Sequence, residues 1–402
     1  MCYCASPSVC AVSFLMSLLL SVHLASCAAP TRLVVIQHGL YGDAVNMHVL
    51  RTQIESAASG DTLVHLASSN EGLTRDGIAA GGRRLAAEVR RVAAQQPTLQ
   101  TLSLVGNSLG GLYARYAASE LLDSGGLMAG LTPDALCTIG SPHLGVRRYT
   151  YLPVPSLLRQ QLGPIVAGRT ADELLLQDGD HRYVNERSTD ERYTDKGQTP
   201  SRSTPNRAST RGGLGGGLVD DAGDELLLRM STGARHLAAL RAFRRRRLYA
   251  NLFGDFMVPC GTAAILGEGG GTGRRWGAGI GDASKERAAE LMRRCDRRSR
   301  AFVDEAVLRG EASGIGLVYE EPRSDEMGTG GDVEAAMSRA LNACGWSKVF
   351  CAWQSAAILP LAHNKLPALR REGWRRGFEV IERAGEGRVV MEHASRFLLE
   401  EG

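Results

Sequence analysis

Residues 102–117 read LSLVGNSLGGLYARYA, and the fold turns on them. An apolar, β-prone run ends at Gly106, the next four residues turn the backbone sharply, and residues 112–118 open a helix. A G-x-S-x-G string between a strand and a helix is the pattern of a nucleophile elbow. Side chains at Gly106 or Gly110 would collide with the neighbouring strand or helix, and the turn holds Ser108 in a strained conformation. Its Oγ is thereby lifted above the sheet, with the Leu109 amide at the helix N-terminus free to donate to an oxyanion. In a chain with 48 glycines the string also arises as a plain strand-to-helix turn, so its flanks decide the reading.

Upstream, residues 33–37 form a β-branched-rich strand that runs into His38-Gly39-Leu40-Tyr41-Gly42-Asp43. An H-G-x-x-G turn after an early strand is where an α/β hydrolase places its second oxyanion donor, which makes the Leu40 amide the partner of Leu109. Residues 62–67 read as the next strand. Residues 81–94 read as an amphipathic helix with Leu85, Val89 and Val92 on one face. Residues 136–139 form the strand after the elbow helix. Strand and helix alternate, which predicts a parallel sheet with helices on both faces. His143 lies near the elbow, but its place in the chain does not suit a Ser, Asp, His order, and it is expected to support the site or to belong to a cap.

At 402 residues and 44% hydrophobic, the chain can bury one α/β-hydrolase domain, residues 30–402, with insertions. The net charge of +4 is unevenly spread: no Lys or Arg precedes Arg32, whereas four arginines occupy 244–247. Nothing resembles a nucleic-acid-binding module, and the basic run is expected on a solvated face of a helix over 234–247. Attraction to anionic lipid is the alternative. Residues 1–29 resemble a secretory leader, too short to span a bilayer and lacking a basic n-region, or else an upstream extension of no structural use. A real leader implies the secretory pathway or a membrane; otherwise the cytoplasm is expected. Of nine cysteines, the five beyond the leader, Cys137, Cys260, Cys295, Cys344 and Cys351, fit neither a disulfide framework nor a zinc site and are expected as buried free thiols. No metal is therefore expected, and acyl transfer by a serine needs no cofactor.

Residues 151–184 are expected to cap the site. Residues 185–223 and 266–335, rich in Ser, Thr, Pro, Gly and Arg or in Gly and charge, read as disordered insertions. Between them, a strand over 248–252 ends at Asp255, in the position of the carboxylate that orients a catalytic imidazole, although a turn-capping Asp is the plain alternative. A final strand, 347–353, precedes a loop carrying His363. His393 competes with it for the third position, but the amphipathic helix around His393 already accounts for that residue, whereas a mobile loop suits a catalytic base.

The segments VIQHGLYGD, SSNEGLTRDGI with GGRRLAAEV, LVGNSLGGLYARYA, TIGSPHLG, VAGRTADELLLQDGD, LLLRM, AFRRRRLYANLFGDFMVP and LAHNKL occur in that order. They resemble the putative serine esterase family, lipase-like α/β hydrolases of plants, fungi and protists. The resemblance spans most of residues 32–265 and resumes near 346. The GRT to DGD stretch before LLLRM is absent from generic lipases, and the segments around Asp255 and His363 match the family pattern. It implies hydrolysis of lipid esters such as acylglycerols or lysophospholipids, in some members at membranes or lipid droplets. Fold alone does not fix the substrate. A protein depalmitoylase or acyltransferase would use the same Ser108, Asp255 and His363, and a non-catalytic binding module could keep the same fold.

Overall fold

The structure, a computed structural model, describes residues 29–147, 168–179, 225–251, 255, 257–266, 315–320, 333–353, 362–369 and 387–400. The expected leader up to residue 28, the insertion 185–223 and most of the cap lie outside the described residues.

The first strand, β1 (Arg32–Gln37), is apolar on both faces. Leu33 and Val35 enter one core and Val34 and Ile36 the other, as in a parallel sheet covered on both sides. A 3-10 turn (Ala44–Met47) leads into α1 (His48–Ala57), followed by β2 (Thr62–Ala67), α2 (Ile78–Gln95), β3 (Thr101–Asn107), α3 (Leu109–Leu121) and β4 (Thr132–Ile139). Then come α4 (Arg169–Leu174), α5 (Leu226–Thr232), α6 (Ala234–Ala242), β5 (Arg245–Asn251) and α7 (Cys260–Ala263). The chain continues with β6 (Ile315–Glu320), α8 (Val333–Asn342), β7 (Ser347–Trp353), α9 (Ala362–Lys365) and α10 (Arg388–Leu399).

The strands form one sheet in the order β2-β1-β3-β4-β5-β7-β6. The first six run parallel, and β6 pairs antiparallel with β7 at the edge. This is the expected α/β-hydrolase sheet. One core packs α2, α3, α5, α6 and α8 on one face; the other packs α1 and α10 on the opposite face. From β1 the chain goes outward to β2 and returns to β3 on the other side of β1. The C-terminal ends of β1 and β3 therefore flank a topological switch point, where open α/β sheets bind their ligands. Gln37 stands opposite Gly106 in the register, so the H-G turn and the elbow leave the sheet side by side.

Two expectations need correction. The second insertion, 266–335, contains β6, whose sequence IGLVYE is an apolar run suited to an edge strand, and the first residues of α8. Glycine-rich, charged flanks hid it. The arginine run is not a helix face either: α6 ends at Ala242 and β5 begins at Arg245. Arg244 grips Asp134 with Nε and Nη2 at 3.0 and 2.7 Å, and Arg245 Nη2 donates to the other oxygen at 2.8 Å. Arg245 also donates to the Phe397 carbonyl at 2.6 Å, and Arg32 to the Leu398 carbonyl at 2.7 Å. These guanidiniums thus cap the C-terminal end of α10, where the helix dipole favours cations. A run of like charges carries no period that would tell a strand from a helix, and its acid lies 110 residues away in sequence.

Candidate active site

Ser108 is the first residue after β3. It has φ 54° and ψ −126°, a backbone conformation that non-glycine residues rarely adopt. Such strain costs roughly 1–3 kcal/mol and persists only where surroundings impose it. Here the Ser108 amide donates to the Ile139 carbonyl at 2.7 Å and its carbonyl accepts from Gly111 at 3.0 Å. The two elbow glycines are required by close approach. A Cβ on Gly106 would lie 2.4 Å from the Gly110 carbonyl and the Gly111 Cα, and one on Gly110 would lie 2.5 Å from the carbonyl oxygens of Gln37 and His38. The elbow is therefore pressed against both β1 and its own helix.

The structure brings Ser108, His363 and Asp255 together. His363 Nε2 lies 3.0 Å from Ser108 Oγ, and Nδ1 lies 2.9 Å from Asp255 Oδ2. All three side chains are buried. Asp255 is surrounded by donors: the amides of Met257 and Val258 reach Oδ1 at 3.1 and 2.8 Å, and Asn251 Nδ2 reaches Oδ2 at 2.8 Å. An ionised carboxylate can only accept, so His363 Nδ1 carries the proton and Nε2 offers its lone pair to the Ser108 hydroxyl. His363 sits on the short helix α9 rather than on the mobile loop expected from the sequence; in a four-residue helix, the sequence leaves no period to read.

The Leu109 amide is the first of α3 and has no acceptor within that helix. Leu40 lies in a turn closed by Gly42 N–H donating to the Gly39 carbonyl at 3.1 Å. A Cβ on Gly39 would stand 2.8 Å from Ser108 Cβ, which sets this turn directly against the serine. His38 is fully buried, with Nδ1 3.0 Å from the Gly39 carbonyl, and burial lowers its pKa, so it is held neutral.

His143 is a core residue. It is fully buried, with Arg115 Nη1 donating to Nδ1 at 3.3 Å and Nε2 2.9 Å from Thr138 Oγ1. Because arginine only donates, the proton is on Nε2. Burial, then Arg115 and Lys348, hold its pKa well below the ordinary value. His393 sits on α10 against Tyr249, whose hydroxyl lies 2.8 Å from its Nδ1, while the ring that reaches Ser108 Oγ is that of His363. Two polar residues around the site escaped the sequence reading, Asn251 and Thr74. Each bonds a partner four or more residues away through a geometry that no local motif announces.

Among the described residues, no group of three or more His, Cys, Asp or Glu side chains is placed to hold a metal ion. Among the described residues, Cys137, Cys260, Cys344 and Cys351 are buried and form no disulfide. No described helix is long and apolar enough to cross a membrane.

A family model described as Putative serine esterase (DUF676) matches residues 28–265. The chain belongs to the putative serine esterase family. None of the curated proteins matches it. Among solved structures it is similar to phospholipase PlaB from Legionella pneumophila, at 16% identity over 37% of this chain and 34% of that one, with a TM-score of 0.28. It is also similar to the RedJ thioesterase from the prodiginine biosynthetic pathway in Streptomyces coelicolor, at 15% identity over 60% and 74%, TM-score 0.28. A cutinase-like protein from Cryptococcus sp. aligns at 19% identity over 30% and 58%, TM-score 0.23. The chain thus spans 58% of the length of the cutinase-like protein and 34% of that of the phospholipase.

Proposed function

We propose that this family member hydrolyses carboxylic esters of lipids, acylglycerols or lysophospholipids, with Ser108 as nucleophile, His363 as general base and acid, and Asp255 as the carboxylate that orients it. The observation that carries the reading is the unbroken line from Ser108 Oγ through His363 to Asp255, at 3.0 and 2.9 Å, on the strained elbow at the switch point.

Ser108 Oγ attacks the ester carbonyl carbon as its proton passes to His363 Nε2. Negative charge gathers on the former carbonyl oxygen, facing the amides of Leu109 and Leu40. Dipoles fixed beforehand cost no reorganisation as that charge develops. Collapse breaks the bond to the alcohol oxygen, which takes the proton from His363. Water then gives a proton to His363 and attacks the acyl-enzyme, releasing the acid and restoring the Ser108 hydroxyl. The imidazolium formed in each half faces Asp255, whose remaining lone pairs are held by Asn251, Met257 and Val258.

Lipid esters are favoured over small polar ones by exposed apolar side chains beside these groups. Tyr41, in the turn that bears Leu40, is 55% exposed, and Met257, two residues from Asp255, is 39% exposed. Isolated exposed apolar residues are common, but one beside Leu40 in the chain and one beside Asp255 suit an acyl chain or an aggregated substrate.

The test is turnover of p-nitrophenyl esters of rising chain length and of mono- and diacylglycerol and lysophospholipid, with fluorophosphonate labelling in parallel. The reading requires labelling that Ser108→Ala abolishes and turnover that favours long chains. A folded protein that neither turns over esters nor takes the label refutes it. Acyl transfer to an added alcohol or release of thioester-linked palmitate from a protein, without lipid hydrolysis, would move the assignment to those acceptors.

A further inference from the structure

Tyr41 has φ 54°, while Leu40 before it does not share the left-handed region. With Gly42 N–H bonded to the Gly39 carbonyl at 3.1 Å, residues 39–42 form a four-residue turn whose third residue has positive φ. That is the pattern of a type II turn, which ordinarily places Gly or Asn where Tyr41 stands. A type I turn would relieve Tyr41 by flipping the peptide between Leu40 and Tyr41. Something must hold that peptide.

The structure supplies one partner. Flipped as it is, the Tyr41 N–H donates to Thr74 Oγ1 at 3.1 Å. Thr74 is 2% exposed and β-branched, so its hydroxyl has little rotameric freedom. Its backbone is fixed from two sides. The Thr74 carbonyl accepts from Thr170 Oγ1 of α4 at 2.8 Å and from the Tyr113 hydroxyl, five residues beyond Ser108 on α3, at 3.2 Å. Thr170 Oγ1 also accepts from the Gly77 amide at 3.0 Å, and the buried Glu173 carboxylate accepts from the Ile78 amide at the start of α2. The same turn lies directly against Ser108 through Gly39.

We infer that Thr74 is a positioning residue for the oxyanion site: its hydroxyl locks the 39–42 turn so that the Leu40 amide faces the charge formed at Ser108, and α4 braces Thr74 from behind. The inference rests on the proposed esterase reading. It also gives the GRT segment a role, since Thr170 and Glu173 hold the loop between Thr74 and Ile78.

The experiment compares Thr74→Val and Thr74→Ser with wild type, measuring kcat and KM on a p-nitrophenyl ester and the second-order rate of Ser108 phosphonylation by a fluorophosphonate. Both readouts develop charge on an oxygen at the same place. Valine keeps the shape and removes the acceptor, so kcat and the phosphonylation rate should fall together by about tenfold, with KM within twofold of wild type. Serine restores the acceptor and should recover both rates to within about threefold. Thr74→Cys, a weak acceptor of similar size, carries the same comparison where valine fails to fold, and should lie between the two. Thr74→Val at wild-type rates, a rise in KM alone, or Thr74→Ser or Thr74→Cys indistinguishable from Thr74→Val and wild type respectively would overturn the inference. A wild type that neither turns over ester nor takes the label would instead refute the esterase reading, so the two failures are told apart by the wild-type arm.

Discussion

His363 Nδ1 and Asn251 Nδ2 converge on one oxygen, Oδ2 of Asp255, at 2.9 and 2.8 Å. A carboxylate oxygen has two lone pairs, and Asn251 takes the one His363 leaves. Oδ1 is held by two backbone amides, so the carboxylate cannot rotate away from the imidazole. Asp255→Asn replaces an acceptor by a donor facing Nδ1–H and should lower kcat by roughly 10⁴-fold through the wrong tautomer. Asn251→Leu leaves the tautomer intact and should cost about tenfold. Steady-state kinetics on one ester checks both, and equal losses would show that Asn251 does more than hold Oδ2.

Gly110→Ala should fail more severely than its one added methyl suggests. Its Cβ would meet two backbone carbonyl oxygens at 2.5 Å, and backbone yields less readily than a side chain. Overpacking of this kind costs about 1–3 kcal/mol, and the shift falls on the residue two places from Ser108. The expected result is a lower melting temperature together with loss of fluorophosphonate labelling. Unchanged labelling would mean that the elbow and β1 are less tightly joined than the distances imply.

Six of the seven described strands and the elbow were legible because each rests on a local pattern, an apolar run or a glycine pair. The choice of Ser108, Asp255 and His363, which the structure brings together, used strand ends and their order in the chain. β2 and β7 were read to the residue, whereas α3 was placed three residues late because Leu109 and the two glycines look like turn, not helix. Links between distant segments carried no such signal. Arg244 and Arg245 look like a solvated run until β4 brings Asp134 beside them, and Thr74 looks like an ordinary loop threonine until Tyr41 needs an acceptor.

Asp134 itself is 5% exposed and faces Arg244 and Arg245 on both oxygens, with Arg32 at 3.7 Å. Removing it by Asp134→Ala takes the shared acid from Arg244 and Arg245, leaving Arg245 with the more distant Glu400 at 3.4 Å, and breaking such a pair from one side costs about 3–5 kcal/mol. Arg244 is half exposed and recovers water, so the low end applies. Chemical denaturation should report this loss while kcat of the folded fraction stays within about twofold, because the cluster lies at the end of the sheet opposite Ser108. A selective loss of kcat at unchanged stability would contradict that placement.

His393 provides the pH test. His393 Nδ1, on α10, lies 2.8 Å from the Tyr249 hydroxyl. Burial, with Arg247 and Arg396 adding repulsion, lowers its pKa from 6.5 to about 4. Between those two values the unfolded chain binds a proton that the folded chain refuses, so stability rises with pH across that window and is lost as pH falls through it. The loss from this residue is on the order of 3 kcal/mol at most. His393→Gln should therefore flatten part of the slope of unfolding free energy between pH 6.5 and 4, while His38 and His143, also held neutral by burial, keep the remainder. Its turnover at neutral pH should stay within about threefold of wild type, roughly 0.7 kcal/mol in the barrier, whereas His363→Gln should lose nearly all activity. Denaturant titrations at several pH values and kinetics on the two variants decide the matter. An unchanged slope would show that burial does not perturb His393, and a folded His393→Gln without activity beside an active His363→Gln would transfer the base from α9 to α10.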